Sequence, residues 1–359
     1  MPNNAADLLD TPVPVLDLDA VEANLLRAQA YADQHGIRLR PHIKTHKSVR
    51  FARRQVELGA VGITCQKLGE AEVMADGGLD DILLSFPLVG EGKLARLVAL
   101  ARRVTMTVVT DSRDVAEGLA AAGRAAGLAF RVLVECDTGG ARCGVQSPAE
   151  AADLAAFVAR QEGLRFAGLM TYPPKGNVPG TAAFLAAAVA ALRERGLEPE
   201  VVSVGGTPDF YRAHDLGLTA LGVVHEHRPG TYLFSDRYML EGGVNDLQAC
   251  ALRIHVTVVS RPTEGRAIID AGSKVFSSDF MGFADHGLVV GYPEASLAKM
   301  SEEHGHLDVS ACARKPVIGE RLVIVPNHAC AVTNLTDAFV GLRGNHAEVV
   351  PVDARGKVR

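Results

Sequence analysis

The sequence predicts a (β/α)8 barrel followed by a smaller all-β domain, and three observations lead to that fold. Between residue 12 and about residue 230, short apolar runs alternate with Ala- and Leu-rich segments whose apolar residues recur at helical spacing. The runs are continuously apolar rather than alternating, as expected of parallel strands covered on both faces. After Tyr238 the texture changes to β-rich runs broken by turn residues, with no helical pattern of comparable strength.

Eight candidate strands follow in order: 38–42, 61–65, 82–86, 105–109, 131–135, 167–171, 201–204 and 220–224. Helical segments lie between them at 20–35, 48–58, 92–103, 112–127, 148–162 and 181–196. Ser48, Ser112 and Ser147 stand where N-caps belong, and Gly127 and Gly196 follow helix ends. An open doubly wound sheet would place a glycine-rich fingerprint after its first strand, and this chain has none there. The closed barrel is therefore expected over 12–240. The β-rich runs 249–259, 266–270, 287–290, 321–325, 338–342 and 347–350 form a second domain over 241–359, on which residues 1–11 are expected to pack.

Composition narrows the function. The 359 residues are 48% hydrophobic and 22% charged, with a formal net charge of −5, so no basic face is available for nucleic acid. No stretch is both long and uncharged enough to span a bilayer. Residues 1–10 are polar and carry no apolar signal-peptide core. Six scattered cysteines without CxxC spacing read as reduced thiols. The expectation is a cytoplasmic protein with a small-molecule substrate.

In such a barrel the chemistry gathers at the C-terminal ends of the strands, and phosphates bind at the loops after strands seven and eight. Those two loops read Gly205-Gly206-Thr207-Pro208 and Arg228-Pro229-Gly230-Thr231-Tyr232. Glycines let backbone N–H groups approach an anion, and Thr207 and Thr231 add hydroxyl donors. Either loop alone reads as a plain barrel turn; both together favour a phosphate site. After the first strand comes Lys44, flanked by His42 and His46 in Arg40-Pro41-His42-Ile43-Lys44-Thr45-His46-Lys47. A lone lysine is usually a solvated charge. At a barrel rim beside two histidines, desolvation and cationic neighbours are expected to free its amine for Schiff-base chemistry. Lys47 is the competing lysine. In the β domain, Pro326-Asn327-His328-Ala329-Cys330 follows an apolar strand. His328 and Cys330, two residues apart on extended backbone, would point to one side and share a divalent ion. From spacing alone, a buried cysteine beside an incidental histidine is the preferred reading. Glu302-Glu303-His304-Gly305 offers further ligands or only a turn.

Around Lys44 the chain resembles the D-threonine aldolase and D-serine dehydratase family, whose barrel is of the alanine-racemase-like type. The resemblance covers essentially the whole sequence. It includes Thr11-Pro12 with Leu16-Asp17-Leu18-Asp19, Gln66-Lys67 with Glu70-Ala71-Glu72, Arg142-Cys143-Gly144-Val145 and Asp270-Ala271-Gly272, besides the loops and motifs already named. It implies pyridoxal 5'-phosphate (PLP) held by Lys44, with its phosphate on Gly205, Gly206, Thr207, Gly230, Thr231 and Tyr232. It implies that Gln66, Arg142 and Tyr172 line the ring, that Lys44, Tyr172 and His46 carry the catalysis, and that His328 and Cys330 bind a divalent metal. It further implies a head-to-tail homodimer. The thiolate favours zinc over manganese or magnesium. Tyr172-Pro173-Pro174 departs from the family pattern, which places His or Gly after the tyrosine.

The implied activity is a lyase acting on D-β-hydroxy-α-amino acids. One outcome is an aldolase giving glycine and an aldehyde; the other is a dehydratase giving a 2-oxo acid and ammonia. The rivals are an amino-acid racemase on the same architecture, which needs a second acid–base residue and no metal, and a non-catalytic PLP-binding protein, which would lack the β domain. A metal-only hydrolase leaves Lys44 and two phosphate loops unexplained.

Overall fold

The computed structural model describes residues 9–359, which contacts divide into two compact units. One comprises Ala28–Lys44, Val49–Gly230 and Lys357–Arg359; the other holds the described residues up to Arg27, with Thr45–Ser48 and Thr231–Gly356. The sequence drew one boundary at 240/241, whereas the contacts cut at Gly230 and assign the turn Thr45–Ser48 and the N-terminal strand to the β unit. Residues 1–8 of the segment expected to pack there lie outside the described residues; Thr11 hydrogen-bonds Thr257 and Asp270 of that unit.

Strands are numbered in chain order from β1 (Val13–Asp17), which belongs to the β unit. The other unit carries β2 (Arg38–Leu39), β3 (Ile63–Cys65), β4 (Asp81–Leu84), β5 (Thr105–Thr110), β6 (Phe130–Cys136), β7 (Leu164–Thr171), β8 (Val201–Gly205) and β9 (Val224–Arg228). Their pairing is parallel in the order β2-β9-β8-β7-β6-β5-β4-β3. The ring closes where His42 bridges Thr64 and where Val61 and Thr64 donate to Leu39 and Pro41 carbonyls. This is the expected (β/α)8 barrel. Ser112 and Ser147 cap their helices by accepting Val115 and Glu150 N–H, and Gly127 ends a helix in the left-handed conformation at φ 65°.

One strand is corrected. The run 220–224 was expected as the eighth strand, but Leu218–Leu221 is a 3-10 turn between left-handed Gly217 and Gly222, and the strand is Val224–Arg228. Its sequence, Val-His-Glu-His-Arg, hid it, because charged residues seldom occupy a strand buried on both faces. Here they pair inside the barrel. Glu226 accepts from Arg40 Nε at 2.6 Å and from Ser203 Oγ at 2.6 Å, and Arg40 also reaches Asp81 at 2.7 Å. Arg228 donates to Ser203 Oγ and the Thr171 carbonyl. Burial opposes the charge on Arg40, but Glu226 and Asp81 outweigh it and raise its pKa.

In β7 the alternation of faces breaks. Val132 pairs with Phe166 and Leu133 with Gly168, so one residue bulges between them. Ala167 and Met170, an odd number apart, therefore share one interior cluster with Leu83, Val109, Leu133 and Val201. Gly168 is required at the bulge: at φ 144°, a Cβ would lie 1.9 Å from the Val201 carbonyl oxygen.

In the β unit, β1 pairs antiparallel with β10 (Leu252–Thr263) and parallel with β16 (Ala338–Arg343), to which β17 (His346–Pro351) adds. From β10 the sheet continues through β11 (Arg266–Ile269), β14 (Gly305–Asp308) and β13 (Ser296–Met300), while β15 (Arg321–Pro326) pairs with β10 and β12 (Gly287–Val289). The hairpin β13–β14 was not among the expected strands, and Glu302-Glu303-His304 is its turn, with Glu303 paired to Lys274.

Because Arg40 and Glu226 are both nearly buried, removing one leaves the other's charge stranded. Arg40→Met is expected to cost about 3–5 kcal/mol, measured as a shift in the denaturation midpoint. Arg40→Met combined with Glu226→Gln is expected to recover part of that loss.

Candidate active site

At the C-terminal end of the barrel, β2 runs into the 3-10 turn Ile43–Thr45 that carries Lys44. His42 fixes this turn: its Nδ1 accepts the Lys44 N–H at 3.3 Å, and its own N–H bonds the Pro229 carbonyl in the loop after β9. His42 Nε2 meets Gln66 Oε1 at 3.0 Å, and Gln66 Nε2 donates to the Ser85 carbonyl. A nitrogen that accepts a backbone N–H carries no proton, so the His42 proton sits on Nε2. His46 has the same character: its Nδ1 accepts Ser48 N–H at 3.1 Å, and its fully buried ring lies edge-on to Phe234. This corrects an expectation. Both histidines act as hydrogen-bond acceptors that shape the turn, which rules them out in this arrangement as the cationic neighbours of Lys44.

Lys44 Nζ stands 5.9 Å from the centroid of Tyr172, the residue after β7, and the Arg142 guanidinium lies 4.9 Å from the same centroid. Tyr172 also covers Gly205: a Cβ there would come within 2.8 Å of the Tyr172 ring and of Arg228 Nη2. Arg142 rises from a turn built on Asp137, whose Oδ1 accepts the N–H groups of Gly139, Gly140 and Ala141. Below it, burial raises the pKa of Glu135, against the pull of Arg142 and Arg228. Burial also pushes Arg228 down to about 10, against Glu226 and Glu135.

The two phosphate-type loops meet. Gly230 N–H donates to Thr207 Oγ1 at 3.1 Å, Gly206 takes φ 106°, and His227 Nε2 holds the Gly206 carbonyl at 3.0 Å. Burial keeps His227 well below its ordinary pKa, so it serves as a neutral donor to that carbonyl. Of the expected phosphate ligands, Tyr232 is a buried core side chain, 1% exposed. Lys47 is also buried, in the left-handed region at φ 50°, which leaves Lys44 as the partly exposed lysine of the turn. A glycine cradle under an aromatic ring, two arginines and an accessible lysine suits an anionic aromatic cofactor.

The β unit holds the other group. His328 and Cys330 were expected on extended backbone, but His328 is the N-cap of the helix Ala329–Leu335 and Cys330 lies in its first turn. The helix start, rather than strand alternation, brings them together. Cys330 Sγ lies 3.2 Å from Thr45 Oγ1 and 3.9 Å from Thr231 Oγ1. His328 Nδ1 meets Asp279 Oδ2 at 2.6 Å. Burial works against charge on His328, yet Cys330, Asp279 and the buried Asp236 raise its pKa to about 9. Surroundings this electron-rich favour a bound cation as they favour a proton, and imidazole with thiolate is a zinc-type donor pair. Among the described residues no group of three or more His, Cys, Asp or Glu side chains is placed to hold a metal ion. Sequence reasoning missed Asp279 and Glu135, and gave Arg228 only as the start of the loop after the eighth strand, not as a buried interior charge. The acidic and basic residues inside β6 and β9 were the available signal for the latter two.

Barrel, lysine turn and glycine cradle together define an alanine-racemase-type PLP enzyme, and the model for "Alanine racemase, N-terminal domain" matches residues 16–237. Residues 251–342 match "Putative serine dehydratase domain". The chain is 35% identical to a D-threonine aldolase of Arthrobacter sp., covering 99% of this chain and 95% of that one. It is 36% identical to a D-threo-3-hydroxyaspartate dehydratase of Delftia sp., covering 93% and 94%. The solved D-threonine aldolase of Filomicrobium marinum superposes with a TM-score of 0.88 at 38% identity, covering 98% and 96%. This chain belongs to the D-threonine aldolase and D-serine dehydratase family of PLP-dependent lyases. No described helix is long and apolar enough to cross a membrane.

Gly205→Ala tests the cradle. The added methyl meets the Tyr172 ring and Arg228, so PLP titrated into stripped enzyme is expected to bind about tenfold more weakly, roughly 1.4 kcal/mol.

Proposed function

We propose that this enzyme cleaves D-3-hydroxy amino acids, with Lys44 as the cofactor lysine and His328 and Cys330 as ligands of a zinc ion. The observation that carries the reading is the convergence of Lys44, Arg142 and Tyr172 over the Gly205 cradle at the end of the barrel. PLP, when bound, supplies an electron sink for negative charge at the substrate Cα. A divalent cation supplies Lewis acidity toward the β-hydroxyl.

The chain's own residues do the rest. Thr207, Gly206 and Gly230 would hold the phosphate, and His227 keeps the Gly206 peptide oriented for it. Tyr172 and Arg142 form one wall and line the ring, with Gln66 anchoring His42 beside the lysine turn. The Lys44 amine would take or return a proton at the substrate Cα. The hydrogen bond from Thr45, the residue after Lys44, orients the Cys330 sulfur. His46 and Tyr232, though expected at the site, contribute by packing. The same reading includes zinc as the preferred metal, from thiolate softness, a homodimer, from the family resemblance, and a cytoplasmic setting, which the free cysteines of the described chain support.

The relatives include an aldolase and a dehydratase, and the two activities differ in the bond broken at the substrate. Incubation with D-threonine and with D-threo-3-hydroxyaspartate, assayed together for glycine, aldehyde, 2-oxo acid and ammonia, separates them. Turnover is expected for the D configuration at Cα; equal turnover of L-threonine would overturn the reading. Borohydride reduction is expected to erase the cofactor's absorption band and leave a pyridoxyl group on Lys44, as read by peptide mapping; recovery on Lys47 would move the site. Chelation or His328→Ala is expected to abolish turnover while the absorption band persists, since neither His328 nor Cys330 belongs to the barrel unit. Full activity in a metal-free preparation would reject the metal pair.

A further inference from the structure

We infer that Asp279 is a positioning residue for the metal: its carboxylate holds His328 by Nδ1 and so presents Nε2 to a divalent cation. This rests on the metal pair proposed above. His328 Nδ1 and Asp279 Oδ2 are 2.6 Å apart, a charge-assisted distance. With the proton held on Nδ1, the lone pair of the imidazole is confined to Nε2, the nitrogen left for a metal. A carboxylate in this place also raises the basicity of the ligating nitrogen and adds negative charge beside the Cys330 thiolate.

An ion pair between partly exposed groups is by itself worth little, and Asp279 and His328 are 44% and 26% exposed at their side chains. Several features set this contact apart. Both carboxylate oxygens are engaged: Oδ1 accepts Met281 N–H at 3.1 Å while Oδ2 meets the histidine, so the rotamer is fixed from two directions. Asp279 N–H in turn donates to Ser277 Oγ. Ser277 and Met281, on either side, adopt φ 66° and 50°, a region L side chains enter only when the surroundings enforce it. Those surroundings lead back to the metal motif. Buried Asn327, the residue before His328, donates to the carbonyls of Phe280 and Asp285, at 3.3 and 2.6 Å. The Phe280 ring packs 4.2 Å from that of His286. The segment 277–285 is thus fastened to the motif by its backbone as well as by the Asp279 carboxylate. A strained loop tied down in this way fits the task of holding one carboxylate against one imidazole nitrogen.

The test is zinc affinity, read apart from turnover. Holoenzyme is stripped of metal with its PLP retained, then titrated with Zn2+ against a chromophoric chelator, for wild type, Asp279→Asn, Asp279→Ala and His328→Ala. Asp279→Ala is expected to bind zinc about 10–100-fold more weakly, with the PLP absorption band unchanged. Asp279→Asn, isosteric and still an acceptor toward Nδ1–H, is expected to lose less. The melting temperature of the metal-free proteins is the control: a merely structural contact lowers it, whereas a positioning contact reduces the rise on adding zinc. Wild-type affinity in Asp279→Ala, alongside lost binding in His328→Ala, would overturn this inference alone. Equal loss of melting temperature with and without zinc would do the same. A wild type whose zinc binding does not depend on His328 would overturn it together with the metal reading.

Discussion

The buried charge network at the closure of the barrel is the interaction on which the rest of the site depends. β2 contributes only two residues of ladder to β9, a weak seam for a closed sheet. Arg40 reinforces it by spanning from β2 to Glu226 on β9 and to Asp81 on β4. Glu226 passes the connection to Ser203, Ser203 to Arg228, and Arg228 to the carbonyl of Thr171 at the end of β7. Four strands whose ends carry the lysine turn, the tyrosine and both glycine loops are therefore held by one chain of charge-assisted hydrogen bonds. Burying so many ionised groups opposes stability unless each finds its partners. What the network contributes is a fixed register at the seam, and with it a fixed distance between the groups the strands carry.

The fold was readable because most barrel strands are predominantly apolar and helices carry their own caps, as at Ser112 and Ser147. The misplaced strand β9 shows the limit of that signal. Hydrophobicity reports burial against lipid-like surroundings, and a barrel interior lined with paired charges looks to it like surface. The strand β1 escaped because it is five residues long and its partners β10 and β16 are distant in sequence; β13 and β14, equally short, are adjacent but carry polar and charged residues among few apolar ones. Nothing local distinguishes β1 from the start of the barrel.

At the candidate site, the placement of Lys44 and the two glycine loops at the strand ends was legible because barrel topology says which loops share one rim, independently of the residues themselves. The roles of the two histidines were not. Two histidines flanking Lys44 in sequence suggested charge beside it, while geometry makes both of them acceptors for backbone N–H groups. The orientation of a side chain depends on local turns that no spacing rule encodes. The same holds for Cys330, whose approach to His328 depends on a helix beginning where a strand was expected to run on.

The bulge in β7 gives the strand something like a reading frame. Side chains on a strand face alternately inward and outward, so the identity of the face is a count modulo two. The extra residue ahead of Gly168 changes that count once, which is why Ala167 and Met170 can share the interior. Every residue after it inherits the altered parity, including Tyr172, whose ring lies over Gly205 because it is counted with Met170 and not with Leu169. Deleting the bulged residue would leave composition, hydrophobicity and loop sequence almost unchanged, yet turn the tyrosine from the mouth of the barrel toward its helices. A glycine with no side chain, four positions upstream, thus helps decide which face the ring of Tyr172 occupies.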